Sequence, residues 1–242
     1  MAPPQPLTID PDTAPGPRTL TSAIYARLRA DILAGRRRPS EKLLIAPIGK
    51  RFSVSLAAVR EALSRLVADG LVIAEDQRGF RVSPLSLADL QDVTHTRIEL
   101  ECLALRRSIA RGDAAWQREL EQAWDALRLT PYTTVEERLR HSEAWSALHG
   151  RFHHALVAAC GLEWLLRFRA TLYEQSERYR LLGRVVATGE RDVTAEHRRI
   201  FEAAIARDAP AAEAELARHF QRTADAITEA CSDEDLAGSP RP

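Results

Sequence analysis

Four histidines in the second half of the chain have the type and spacing of a metal site. His149 and His153 are four residues apart, so a helix would place both on one face, and His197 and His219 lie in two later segments. Imidazole nitrogens are common ligands of divalent transition metals. The pattern therefore predicts bound zinc, with nickel, iron or copper as other ions that imidazole suits.

The neighbours of these histidines at helical spacing predict that all four imidazoles point inward. A single inward histidine is most often a hydrogen-bonded core residue, but four from three segments would each need a separate buried partner. One shared metal ion satisfies all of them. The neighbours are Phe152, Leu156 and Cys160 for the first pair, Ile200, Phe201, Ala204 and Ile205 for His197, and Leu216, Phe220, Thr223 and Ile227 for His219.

Arg97 also lies on an apolar helical stripe, and a buried guanidinium requires an anion. Two partners are open at this point. One is Glu101, a helical turn further on, and the other is the carboxylate of a small effector acid held opposite the metal. Arg178 and Tyr179 are further candidates for closing the same effector pocket.

The elements that must position these residues fall into two domains and two tails. Residues 1–17 and 232–242 are predicted to be disordered. Residues 18–84 predict a helix beginning near Thr21 or Ser22, two more helices at about 45–52 and 56–69, and two strands around a turn at 76–79. This is the order of a winged helix-turn-helix. Residues 85–231 predict six helices, at about 86–111, 114–129, 135–160, 162–187, 192–207 and 209–231, which form an antiparallel bundle. The fold class is mainly α.

Charge is divided unevenly between these domains, although the whole chain is neutral. Residues 1–84 carry 13 basic and 8 acidic residues, whereas the remainder carries 21 and 26. A basic N-terminal part favours a polyanionic partner. The N-terminus lacks the basic start and apolar core of a signal peptide, and no apolar run is long enough to span a bilayer, so we expect a cytoplasmic protein without a membrane partner.

The segment from Glu41 to Val72 strongly resembles the GntR family of bacterial regulators, and this resemblance implies DNA binding. The wing at 79–82 fits it too. The matching residues are Leu43, Phe52, Val54, Ser55, the run Val59-Arg60-Glu61-Ala62-Leu63, Leu66 and Gly70-Leu71-Val72.

Residue types suggest how such a domain would read DNA. Arg60 projects outward from the third helix and suits a bidentate contact to guanine in the major groove. Lys50, Ser55 and Arg65 suit phosphates. Family members often carry Arg-Thr-Pro where this chain has Leu56-Ala57-Ala58, and Ala57 can contact a thymine methyl instead. The resemblance places the wing tip, Arg78 and Gly79, in the minor groove.

The helical remainder resembles the FCD domain of the FadR subfamily, in its VanR-type, CsiR-like branch. The resemblance rests on the run Arg97–Glu101, Phe152-His153, Glu196-His197 and Arg218-His219. In the family the first metal ligand is usually an aspartate, where this chain has His149. A site without that carboxylate leaves more of the metal's charge for an anionic ligand.

Together these features predict a homodimeric repressor that binds an inverted-repeat operator and responds to a small carboxylate beside the metal. The alternative is a metal-dependent hydrolase, since four inward histidines could activate water. Against it, the sequence has no HExxH motif, and an enzyme does not explain residues 41–82.

Overall fold

A computed structural model describes residues 19–75, 78–130, 135–186 and 191–236, without the side chains of 135–143 and 182–186. The predicted disordered tail 1–17, Asp76 and Gln77 of the predicted turn, and residues 237–242 lie outside this description. The chain divides into two compact units. One holds the chain up to Ser86 together with the segment from Asp233, and the other holds Leu87–Ser232.

The N-terminal unit is a three-helix domain with a small sheet. Its helices are α1 (Leu20–Leu33), α2 (Ile45–Phe52) and α3 (Leu56–Ala68), followed by the strands β2 (Val72–Glu75) and β3 (Gly79–Val82). Their apolar faces form one core, in which Val59, Leu63 and Leu66 of α3 are fully buried.

Two details of this unit differ from the sequence prediction. The N-cap of α1 is Thr19 rather than Thr21 or Ser22, because Thr19 has the extended backbone that lets its hydroxyl accept a hydrogen bond from Ser22 N–H. A third strand, β1 (Lys42–Leu43), pairs with β3 and gives the antiparallel order β1-β3-β2. Two residues are too short to show an alternating pattern, so the sequence predicted the hairpin alone.

The second unit is the predicted bundle of six long helices. They are α4 (Leu87–Arg111), α5 (Ala114–Arg128), α6 (Val135–Val157), α7 (Glu163–Val186), α8 (Val193–Ile205) and α9 (Ala209–Ala230). Helix α4 packs against α7 and α9, α8 packs against α9, and α5 packs against α6. None of the helices within the described ranges is both long enough and apolar enough to cross a membrane.

The C-terminal tail does not begin as the sequence predicted. We expected disorder from residue 232, but a short helix, α10, covers Asp233–Leu236, and the side chain of Leu236 is fully buried. Three acidic residues in the first turn of α10 favour a helix N-terminus, and Leu236 supplies the buried contact. One apolar residue among polar neighbours has no periodicity that would have indicated this.

Candidate functional sites

Three helices of the bundle bring the four predicted histidines together. Helix α6 carries His149 and His153, α8 carries His197 and α9 carries His219, and all four side chains are buried. Nε2 of His153 lies 3.1 Å from Nε2 of His149 and 3.3 Å from Nε2 of His197. One ligand atom from each of the four residues lies within 4.8 Å of the others.

These separations fit a metal ion. A metal–nitrogen bond of about 2.0–2.1 Å places neighbouring ligand nitrogens roughly 3.0–3.4 Å apart. Without an ion, the lone pairs of these three Nε2 atoms would repel one another. Only protons shared between the nitrogens could then hold the atoms at these distances. The residues present therefore fit a metal, as the sequence pattern predicted.

The environment also keeps the imidazoles in the form that binds metals. Burial, followed by the positive charge of neighbouring groups, lowers the pKa of His149, His153 and His197 well below its ordinary value. Burial also lowers the pKa of His219, although the adjacent Glu196 opposes the shift. Neutral imidazoles have the free lone pair that coordination requires.

Groups around the histidines orient their rings. Glu196 Oε2 lies 2.8 Å from Nδ1 of His219, so a proton on that nitrogen leaves Nε2 free for a metal. Tyr173 Oη lies 3.3 Å from Nδ1 of His149, and the Trp145 ring stacks on the His149 ring with centroids 4.6 Å apart. Nδ1 of His153 is buried and has no hydrogen-bond partner among the residues that the structure describes.

Glu196 is itself held in the ionised state. Burial raises its pKa, but hydrogen bonds from Arg191 and His219 outweigh burial and bring the pKa far below its ordinary value. Glu196 belongs to the Glu196-His197 motif, and its place in the sequence did not indicate this role. A carboxylate directly before an inward histidine was the available signal.

A cavity of about 90 Å³ adjoins the histidine cluster. His149 and His219 contribute to its wall, together with the guanidinium-bearing residues Arg97, Arg180 and Arg191. At about 10–15 Å³ per water in such a volume, the cavity has room for several water-sized groups. It suits a small ligand that would lie against both the metal ligands and the arginines.

Arg97 has the first of its two predicted partners. Its Nε and Nη2 donate to Oε1 of Glu101 at 3.0 and 2.8 Å, and its Nη1 donates to Ser176 Oγ at 2.7 Å. Arg169 donates from Nε to the other oxygen of Glu101 at 3.1 Å. The guanidinium of Arg97 lies 4.0 Å from the centroid of Phe220 and also lines the cavity. If Arg97 also contacts an effector, that contact would therefore form in addition to the ion pair between Arg97 and Glu101.

The structure does not place Arg178 and Tyr179 in the cavity wall, which corrects that prediction. Arg178 donates to Gln175 at 2.9 Å, and the fully buried Tyr179 donates to Asp89. At 100° per residue they lie on a different side of α7 from the lining residues, which are Ser176, Glu177 and Arg180. Arg180 and Arg191 were missed because neither lies on an apolar stripe of the kind that drew attention to Arg97.

The charged groups at this site carry a positive excess. Among the described residues that line the cavity, three carry a guanidinium, Arg97, Arg180 and Arg191, and one carries a carboxylate, Glu177. Such a site attracts an anion.

In the N-terminal unit, Ala57 and Arg60 share the exposed face of α3, about 60° apart around the helix. Ser55 caps this helix, since its Oγ accepts from Ala58 N–H at 3.2 Å. Lys50 is exposed in the last turn of α2. The predicted wing residues Arg78 and Gly79 are exposed at the hairpin turn, where Gly79 has a φ of 93° that favours glycine.

Arg65 is the one predicted DNA contact of α3 that lies apart from this face. Its guanidinium is 4.1 Å from the centroid of the Tyr25 ring in α1, and its Nη1 lies 3.3 Å from Ser22 Oγ. The side chain is therefore directed toward the start of α1.

A winged helix-turn-helix unit joined to a helical unit with a histidine-lined cavity defines a class of DNA-binding regulators with a sensor domain. Comparison with known proteins gives the family. The description "Bacterial regulatory proteins, gntR family" matches residues 20–82, and "FCD domain" matches residues 92–222. The chain belongs to the GntR family and carries an FCD domain.

Curated relatives and solved structures agree. The uncharacterised regulator BphR of Paraburkholderia xenovorans is 39% identical over 89% of this chain and 90% of its own length. The transcriptional repressor GlaR of Escherichia coli is 33% identical over 81% and 90%. The fold is shared with E. coli McbR/YncC, which has a TM-score of 0.71, 19% identity and coverage of 87% and 98%. A Rhodococcus GntR regulator has a TM-score of 0.67, 22% identity and the same coverage.

These relatives are DNA-binding transcriptional regulators and not enzymes. The alternative of a metal-dependent hydrolase is therefore wrong as a description of this family. The histidine cluster belongs to a regulatory protein.

Proposed function

We propose that this protein is a repressor whose operator affinity is set by a small carboxylate bound beside a divalent transition metal. The observation that carries the proposal is a cluster of four buried imidazoles, two of which line a cavity together with three arginines. The DNA-reading surface lies in the other unit, so the histidine site is a sensor.

The four imidazoles His149, His153, His197 and His219 would hold the ion. Zinc is our first choice and nickel, iron and copper are the others, because neutral nitrogen ligands suit these ions better than magnesium or calcium. When bound, the ion supplies a positive charge and a coordination position for a carboxylate. Glu196 and Tyr173 fix the rings of His219 and His149 for this purpose.

The effector would be a small organic acid. Its carboxylate has a guanidinium available at Arg97, and Arg180 and Arg191 add positive potential around the same cavity. Glu101 and Ser176 hold the Arg97 side chain in place before the acid arrives. This positioning lowers the conformational entropy lost on binding.

The operator would be an inverted repeat bound by a homodimer, with Arg60 and Ala57 at base edges in each half-site. Lys50, Ser55 and Arg65 would hold phosphates, and Arg78 and Gly79 would enter the minor groove. Exposure of each of these residues supports the assignment.

A matched pair of histidines on α6 tests the metal assignment. His153 is fully buried in the cluster, whereas the next residue, His154, is exposed. We expect His153→Ala to lower zinc affinity by at least about tenfold, as loss of a ligand should exceed the effect of a lost supporting contact. His154→Ala should bind zinc as the wild type does. Calorimetric zinc titration of chelator-treated protein measures both.

The regulatory part is tested with the same proteins and a panel of small mono- and dicarboxylic acids. Operator duplexes come from in vitro selection of a random-sequence pool by the full chain. Zinc-loaded wild type and His154→Ala should change operator affinity with at least one acid, and His153→Ala should not. Unaltered zinc affinity in a folded His153→Ala protein would refute the four-histidine site.

A further inference from the structure

The recognition helix α3 begins with an apolar surface that faces outward. Its first turn consists of Leu56, Ala57 and Ala58, and the next outward residue is Arg60. Leu56 is 48% exposed, and Ala57 beside it is exposed as well. A polar side chain would ordinarily occupy such a position on a helix that enters a DNA groove.

Packing holds the Leu56 side chain in place. A Cβ added at Gly49 of α2 would lie 3.2 Å from Leu56 Cδ2, so this methyl group already sits against the α2 backbone. Leu56 as a whole is exposed and lies about 40° around the helix from Arg60. Leu56 therefore presents a fixed apolar surface beside the arginine.

The major groove offers one apolar group to such a surface, the C5 methyl of thymine. Leucine and alanine carry no donor or acceptor for the other base edges. We propose that Leu56 and Ala57 together read thymine methyl groups, and that they set the operator preference next to the base read by Arg60. This inference rests on the proposed function, in that α3 is taken to read the operator.

Helix geometry gives the spacing. Residues 57 and 60 are separated by roughly 4.5 Å along the helix axis, and successive base pairs by roughly 3.4 Å. The thymines therefore lie one or two base pairs from the guanine that Arg60 contacts. Each half-site should contain a methyl-bearing pyrimidine at this distance.

Deoxyuridine scanning tests the proposal directly. Deoxyuridine lacks the methyl group of thymine and keeps its hydrogen-bonding groups. In the selected operator, each thymine is replaced in turn by deoxyuridine, and the dissociation constant is measured with the full chain. We expect replacement at one or two positions per half-site to weaken binding about fourfold each, the effect of exposing one methyl-sized apolar group.

Variants assign the contact to its residue. In folded Leu56→Ala, the loss caused by deoxyuridine should disappear at one of these positions. Leu129→Ala provides the control, since Leu129 is 70% exposed at the end of α5 and should leave the deoxyuridine profile unchanged.

The outcomes separate this inference from the proposed function. A pool from which the protein enriches no sequence would overturn the proposed function itself. An enriched operator in which every deoxyuridine changes affinity by less than twofold would overturn the methyl contact alone. If each deoxyuridine replacement weakens binding of Leu56→Ala as much as it weakens binding of the wild type, the assignment to Leu56 is overturned.

Discussion

Arg60 lies on the face of α3 that we propose to contact bases, whereas Arg65, the other predicted cation of that helix, is turned toward α1. This difference separates two kinds of contact. A guanidinium directed at base edges gives sequence preference, whereas one directed at phosphate gives affinity that depends on salt.

We therefore expect Arg60→Ala to weaken operator binding by about 1–3 kcal/mol and to relax the preference at one base pair of each half-site. Arg118→Ala, which removes an exposed arginine from α5, serves as the control. Competition binding with single-base operator variants measures the preference. If Arg60→Ala discriminates among these variants as the wild type does, the placement of Arg60 at a base is wrong.

At the scale of single residues, the sequence predicted the histidine cluster better than the cavity wall. Four histidines with apolar neighbours at helical spacing leave few arrangements other than convergence. Arg180 and Arg191 lie near the ends of their segments, and their approach to the cavity depends on how α7 and α8 pack. Spacing within one helix carries no information about that packing.

At the scale of elements, a buried ionic group joins α4 to α7. Glu101 is 1% exposed and lies between Arg97 of its own helix and Arg169 of α7. Burial alone would raise the pKa of Glu101, but the two guanidiniums outweigh it and hold the pKa below its ordinary value of 4.5. The ionised carboxylate thus stabilises the folded bundle.

Because the folded-state pKa is lower than the unfolded value, this stabilisation is complete above about pH 4.5 and is lost as the pH falls through the folded pKa. We expect Glu101→Gln to lower the free energy of unfolding by about 3–5 kcal/mol at pH 7, because it leaves two buried guanidiniums without a counter-charge. Denaturant unfolding of metal-free protein from pH 7 to pH 3 measures this.

Glu99→Gln, at an exposed position of the same helix, should behave as the wild type. The difference between the wild type and Glu101→Gln should shrink below pH 4.5. A difference that stays constant down to pH 3 would show that the charge of Glu101 does not stabilise the fold.

The elements themselves were well predicted where they are long. All six bundle helices lie within a few residues of their predicted bounds, since each repeats an apolar stripe over several turns. The prediction missed β1 and α10, which have two and four residues. An element this short forms because a partner stabilises it, as β3 does for β1. Its own residues are too few to show a hydrophobic periodicity.

At the scale of the whole molecule, two-fold symmetry is the first expectation. We predict that two chains bind one operator with two inverted half-sites. Mass measurement of the complex and a footprint at saturation test this together. A footprint that covers a single asymmetric half-site would contradict it.

The second expectation is coupling between operator and acid. Helix α4 begins at Leu87, five residues after β3 ends at Val82, and it carries Arg97 of the cavity wall. If the acid changes operator affinity by some factor, the operator must change acid affinity by the same factor, typically about 5- to 150-fold. Calorimetry with zinc-loaded protein, with and without operator, compares the two acid affinities. Equal values would exclude the switch even if the metal and cavity were both confirmed.

His149 stands where the resemblance to the FCD domain implies an aspartate, and this difference has an evolutionary consequence. Histidine and aspartate codons differ in their first base alone, so a single point mutation converts the all-imidazole cluster into one with a carboxylate ligand. That mutation would change the charge of the site by one unit without changing the backbone. If the cluster holds a metal as we propose, a lineage could thus exchange strong attraction for an acid for tighter retention of the ion.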